Sequence, residues 1–327
     1  MGECKARSVS RRAFTCGAAA LALGICGCAH KGPQGSGARG SAVKTHRVGS
    51  SDARSQEQDA QLNQALAAAG DAIRALVDPL GDAVSVELVP LDPQTYAQMR
   101  DRVEIAPGTS RVAASIIKLP ILACALERAA AGVLVLDEQL VMRADQIVGG
   151  SGTIAVRGAG TAFTVDELLH AMIAQSDNTA ANMLIDRLGF DAVNATVQDL
   201  GCSSTVLARK MMDTAAEAEG RENYTSAADA ARILAAIASG TIATPELCER
   251  ARGYLLDQAD TRGIAEGVPA GTAVAHKTGS LSAAQHDAAI VYAERPFILV
   301  VLTERLDREQ ALALERDIAA AACANLR

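Results

Sequence analysis

Ser115-Ile116-Ile117-Lys118-Leu119-Pro120-Ile121-Leu122-Ala123-Cys124-Ala125-Leu126 opens on a hydroxyl, puts an amine three residues later and is otherwise apolar almost all round. That pattern predicts a buried central helix over 115–131, with Ser115 and Lys118 about one turn apart on one face. Two more short motifs follow, Ser176-Asp177-Asn178 and Lys277-Thr278-Gly279. Each occurs by chance in many chains of this length. In this order, with 57 residues between the first and second and 98 between the second and third, they are a strong signal. Together they supply a serine, two amines, a second hydroxyl and an amide, which is what acyl transfer to serine needs without a histidine base.

The lysines sharpen this reading. Among 31 basic residues only six are lysine, and past the leader and linker only Lys118, Lys210 and Lys277 remain. Arginine stays protonated in proteins, whereas a buried lysine near another cation can accept a proton. Two of the three remaining lysines are motif lysines.

The first 58 residues do not read as fold. Residues 1–28 have the form of an export signal: Ser10-Arg11-Arg12-Ala13-Phe14, then a mild Ala/Gly-rich run to Gly27. A twin arginine before such a run is the pattern for exporting folded proteins, and the run is too short for a membrane span. Ile25-Cys26-Gly27-Cys28 resembles a lipobox, which favours lipidation of Cys28 over simple cleavage. The chain is therefore expected outside the cytoplasm, anchored by lipid alone at the outer face of the cytoplasmic membrane, or periplasmic or extracellular. Residues 29–58, rich in Gly, Ser and basic residues, should be a flexible tether.

Residues 59–327 form the expected folded body, a monomer. It has no tryptophan, so Ala, Leu, Ile, Val and Met must build its core. A net charge of −7, with no basic run past the tether, argues against nucleic acid. Cys124, Cys202, Cys248 and Cys323 show no metal-binding spacing; neither a metal, another cofactor nor a disulfide is expected.

Helical spacing is read over 59–77, 165–174 (Thr164 as N-cap), 179–188 and 308–325. Strands are read over 83–91, 102–106, 273–280, 286–293 and 297–304. A sheet begun at one end and finished at the other, with a helical insertion at about 110–260, gives an α/β fold of α+β type: antiparallel strands flanked by helices, plus an all-α half.

At the helix N-terminus, free N–H groups favour a developing anion on the group Ser115 attacks, while Lys118 takes the hydroxyl proton. An ordinary N-cap followed by a snorkelling lysine is the plain alternative. Ser176 could relay the proton to a leaving nitrogen, and Asn178 could bind a substrate amide. Lys277, Thr278 and Ser280 could hold a carboxylate, with Gly279 leaving room for a substrate along the strand. The N–H groups of Ser115 and Ser280 would form an oxyanion hole.

With Gly149-Gly150-Ser151-Gly152, His276, the closing hairpin and the last helix, these motifs resemble the class A β-lactamase-like serine hydrolases, related to penicillin-binding D-alanyl-D-alanine peptidases. The resemblance implies five antiparallel strands beside an all-α half. It also implies acylation of Ser115 by a β-lactam or an acyl-D-alanine peptide. In that family a glutamate on a loop closed by an arginine–carboxylate pair activates water. Here Arg209 and Glu222 align with the closing pair, and the glutamate position falls on Met211. Among Asp213, Glu217 and Glu219, Asp213 lies nearest in sequence and is the expected substitute. His286 stands where relatives bind the substrate carboxylate, or else simply fills a strand. A β-lactamase is the leading expectation and a peptidoglycan-directed peptidase the second; a non-catalytic β-lactam sensor is weakest.

Overall fold

The computed structural model describes residues 49–326; the export signal, Cys28 and residues 29–48 of the tether lie outside this range. The strands are β1 (Val84–Pro90), β2 (Val103–Ile105), β3 (Arg111–Val112), β4 (Gln139–Val141), β5 (Ala162–Thr164), β6 (Tyr224–Thr225), β7 (Ala273–Leu281), β8 (Ala284–Tyr292) and β9 (Phe297–Glu304). The helices are α1 (Gly49–Val77), α2 (Lys118–Ala130), α3 (Val165–Ala174), α4 (Asn178–Leu188), α5 (Phe190–Asp199), α6 (Thr214–Ala218), α7 (Ala227–Ala238), α8 (Pro245–Leu256), α9 (Ile264–Gly267) and α10 (Arg308–Asn325). Helix α1 starts ten residues before the expected position, inside the stretch read as tether, because no apolar periodicity marks its first turns.

Five strands form one antiparallel sheet in the order β2-β1-β9-β8-β7, so the ends of the folded body meet at its centre through the β1–β9 pair. Side chains alternate across the sheet. Phe297, Leu299 and Val301 of β9 pack on the face covered by α1 and α10. Ile298, Val300 and Leu302 pack on the face covered by the helical half. Both faces are therefore dry, which explains an uninterrupted apolar run in an antiparallel strand. Helix α1 buries Leu62, Leu66, Ile73 and Val77, and α10 buries Leu314, Ile318 and Ala322, at three- and four-residue spacings.

In the helical half α2 is central, buried from Lys118 to Leu126. Thr164 caps α3 as its sequence predicts, accepting from Glu167 N while the Glu167 carboxylate accepts from Thr164 N. Asp177 caps α4 by accepting from Ala180 N. The Asp177 cap lies at the bend between α3 and α4, beside Ser176.

Candidate active site

Ser115 lies in a 3₁₀ turn, Ala114–Ile117, which hands over to α2 at Lys118. The helix thus starts three residues later than its apolar pattern suggests. The strand before this turn is clamped from both sides. Val112 N donates to Glu304 Oε1 (3.0 Å), and the buried Arg111 donates to Glu304 Oε2 (3.1 Å) and Ser85 Oγ (2.8 Å). His286 supplies the other side, its Nε2 lying 2.8 Å from Val112 O while its Nδ1 accepts from Thr303 N at 3.1 Å. Its Nδ1 also lies 2.7 Å from Gln285 O, and burial lowers the ring's pKa. His286 is fully buried, so it does not contact substrate as expected; it ties β3 to the sheet.

Lys118 is fully buried. Its Nζ lies 2.7 Å from Ser176 O and 2.8 Å from Asn178 Oδ1, both pure acceptors. A neutral amine has two N–H groups, and those oxygens take them. Ser115 Oγ at 3.0 Å and Ser176 Oγ at 3.1 Å complete its contacts, and the one lone pair can accept from one of these hydroxyls at a time. Burial, then the charge of Lys277, holds the amine's pKa well below its ordinary value. That favours a base over an ammonium.

Lys277, also fully buried, approaches Ser176 Oγ from the other side at 3.0 Å and donates to Thr278 O at 2.6 Å. Burial brings its pKa down to about 7. Ser176 adopts a left-handed backbone (φ 53°), rare for a serine, and so turns its hydroxyl between the two amines. Asp177 stabilises that turn: Oδ2 accepts from Thr153 N and Ile154 N at 2.6 and 2.9 Å. Only glycine fits at 152, where φ is +102° and a Cβ would come within 2.0 Å of Asp177 Oδ2. Asn178 donates to Gly149 O at 3.0 Å while its oxygen serves Lys118, leaving one N–H for a substrate.

Strand β7 lies against the Ser115 turn. A Cβ on Gly279 would meet Ala114 Cβ and Ile116 N at 3.3 Å. The missing side chain therefore admits the turn itself, not primarily a substrate as expected. This close approach puts Ser280 beside Ser115 on the wall of a cavity of about 230 Å³. Ser280 Oγ donates to Gln285 Oε1 at 2.6 Å. Thr278 is buried and lies outside the cavity lining; its carbonyl serves Lys277 instead.

The opposite wall is the segment 209–222. Arg209 and Glu222 close it with paired contacts of 3.0 and 2.9 Å, as the resemblance implies. Met211 is held by its main chain: Asn182 Nδ2 donates to its carbonyl (3.1 Å) and its N–H donates to Asn182 Oδ1 (2.8 Å). Asp213, the expected acid, caps α6 by accepting from Ala216 N at 3.0 Å and does not line the cavity. Glu217 does line it. Sequence distance misled here, because a one-turn helix brings the fourth residue after Asp213 to the cavity wall. Asn182 was missed as well, having no motif to mark it.

A family model described as "Beta-lactamase enzyme family" matches residues 69–326. Beta-lactamase FAR-1 of Nocardia farcinica is 31% identical over 177 residues, 52% of this chain and 56% of that protein. A beta-lactamase of Rhodobacter capsulatus is 35% identical over 147 residues, 44% of this chain and 48% of that protein. The matches thus span about half the length of these relatives. Among solved structures, a beta-lactamase from Sphaerobacter thermophilus superposes with a TM-score of 0.69 at 28% identity, covering 78% of this chain and 95% of that one. A mutant of PBP-A, solved as its acyl-enzyme complex with penicillin G, gives a TM-score of 0.70 at 26% identity, covering 79% and 96%.

Proposed function

The chain belongs to the beta-lactamase enzyme family, and we propose that it is a serine β-lactamase-type hydrolase that opens β-lactams through an acyl-enzyme on Ser115. The observation that carries this is the chain of contacts from Ser115 Oγ through Lys118 Nζ to Ser176 Oγ, with steps of 3.0 and 3.1 Å. A neutral Lys118 takes the Ser115 proton as Oγ attacks the lactam carbonyl. The N–H groups of Ser115 and Ser280 would receive the oxyanion. As the carbon–nitrogen bond breaks, Ser176 gives its proton to the leaving nitrogen and is resupplied by Lys118. Lys277, when charged, would attract the substrate carboxylate, and the remaining N–H of Asn178 would hold the substrate's side-chain amide.

Intact-protein mass spectrometry after a brief penicillin pulse tests this. The expected result is one adduct of penicillin's mass that then disappears, and none in Ser115→Ala. An adduct that survives that substitution would overturn the assignment. Met211, standing where the resemblance implies a glutamate, favours a second reading, a peptidase acting on peptidoglycan peptides, which an adduct lasting hours would support. The twin arginine and Cys28 further support export with a lipid anchor facing away from the cytoplasm; radiolabelled palmitate incorporation that is lost in Cys28→Ala checks it.

A further inference from the structure

Releasing an acyl group from Ser115 requires a base for water, and Met211 has none to offer. Three acids lie in or beside α6, and the structure separates them. Asp213 is spent as a helix cap. Glu219 pairs with Arg221 and does not line the cavity. Glu217 alone of the three lines the cavity that holds Ser115 and Met211. Glu222 also lines it, yet both of its oxygens are engaged by Arg209 and one also accepts from Asn223 N. Glu217 Oε2 lies 3.6 Å from Arg209 Nη2, so the guanidinium that closes the loop also holds this half-exposed carboxylate at the cavity wall. The cavity, at about 230 Å³, far exceeds the roughly 10–15 Å³ that one water needs.

Resting on the acyl-enzyme reading above, we infer that Glu217 is the base that activates water to release the acyl group from Ser115. A cavity water gives a proton to the Glu217 carboxylate as its oxygen attacks the ester carbonyl. The tetrahedral intermediate collapses with loss of the bond to Ser115 Oγ. The proton held by Glu217 ends on that Oγ, so ester and water become free acid and serine. Recruiting a base from α6 makes Met211 a packing residue, consistent with its contact with the apolar core.

The test measures acylation and deacylation separately, by stopped-flow and mass spectrometry with penicillin, in the full protein and in Glu217→Gln and Glu219→Gln. Expected for Glu217→Gln is unchanged acylation and deacylation slower by about 100-fold or more, the usual contribution of a general base. The acidic limb of the deacylation profile should also vanish, and hydroxylamine, which needs no base, should release the adduct as fast as in the parent. A merely structural role for Glu217 would keep the acidic limb and would slow release by hydroxylamine as well. Glu219→Gln should behave as the parent. Unchanged deacylation in Glu217→Gln overturns the inference. So does an adduct that persists for hours in the parent, which leaves acylation at Ser115 standing. Absence of any adduct in the parent sinks the acyl-enzyme reading and Glu217 with it.

Discussion

Lys118 and Lys277 bring two buried amines to one hydroxyl, Ser176 Oγ, at 3.1 and 3.0 Å. Neither arrangement suits a stable fold, because burial disfavours the charged form of an amine. For Lys277 the pKa falls from 10.5 to about 7, which corresponds to a cost on the order of 5 kcal/mol at about 1.4 kcal/mol per unit. The sign follows from proton binding: between pH 7 and 10.5 the unfolded chain holds the proton that the folded one has lost, so stability rises with pH. The penalty is complete below about pH 7 and disappears as pH approaches 10.5. Lys277→Met should therefore stabilise the fold by a few kcal/mol at pH 6 while acylation fails. The gain should shrink steadily by pH 10, which urea titrations at both pH values would check. The motif lysines were legible because the chain otherwise uses arginine. His286 was misread because strand position does not tell which way a ring points. Asp213 was misread because nearness in sequence is not nearness across a one-turn helix.

Three elements meet at the reaction centre, the Ala114–Ile117 turn, the α3–α4 bend and β7, and glycine decides how close they come. Gly279 permits the approach of β7 to the turn, since a Cβ there would lie only 3.3 Å from Ala114 Cβ and Ile116 N. Gly279→Val should push the strand away, separate Ser280 from Ser115 and slow acylation by at least about 100-fold, since an ångström of misplacement can cost that much. The loss in stability should stay near the 1–3 kcal/mol typical of overpacking. Acylation kinetics beside a melting curve distinguish this from simple unfolding; near-parent acylation would show that the approach is not required. The α3 boundaries, with the cap Thr164, were legible because capping chemistry is local. The 3₁₀ turn at Ser115 was not: a 3₁₀ turn and an α-helix start share the same apolar pattern, and the clamp on β3 comes from Glu304 and His286, far away in sequence.

On the scale of the whole molecule, the sheet separates two packed layers, and only one of them carries the site. Leu299 faces α1 and α10, away from Ser115. Leu299→Ala should cost roughly 2–5 kcal/mol of stability and leave acylation by the folded protein unchanged, as a denaturation curve and a labelling rate measured side by side would show. A slowed rate would mean that the far layer also tunes the site. The sequence by itself determined the class of fold, the order of the main-sheet strands and the three motifs from which an acylation site is proposed, because periodicity, capping and motif spacing are local properties of the chain. Only the tertiary structure decided which of those groups meet. It placed His286 behind the site and Thr278 outside the cavity, gave Gly279 to the turn, and set Glu217 on the cavity wall where Asp213 was expected. Those outcomes depend on side-chain direction and on contacts between residues as much as 174 positions apart, and no local pattern encodes either.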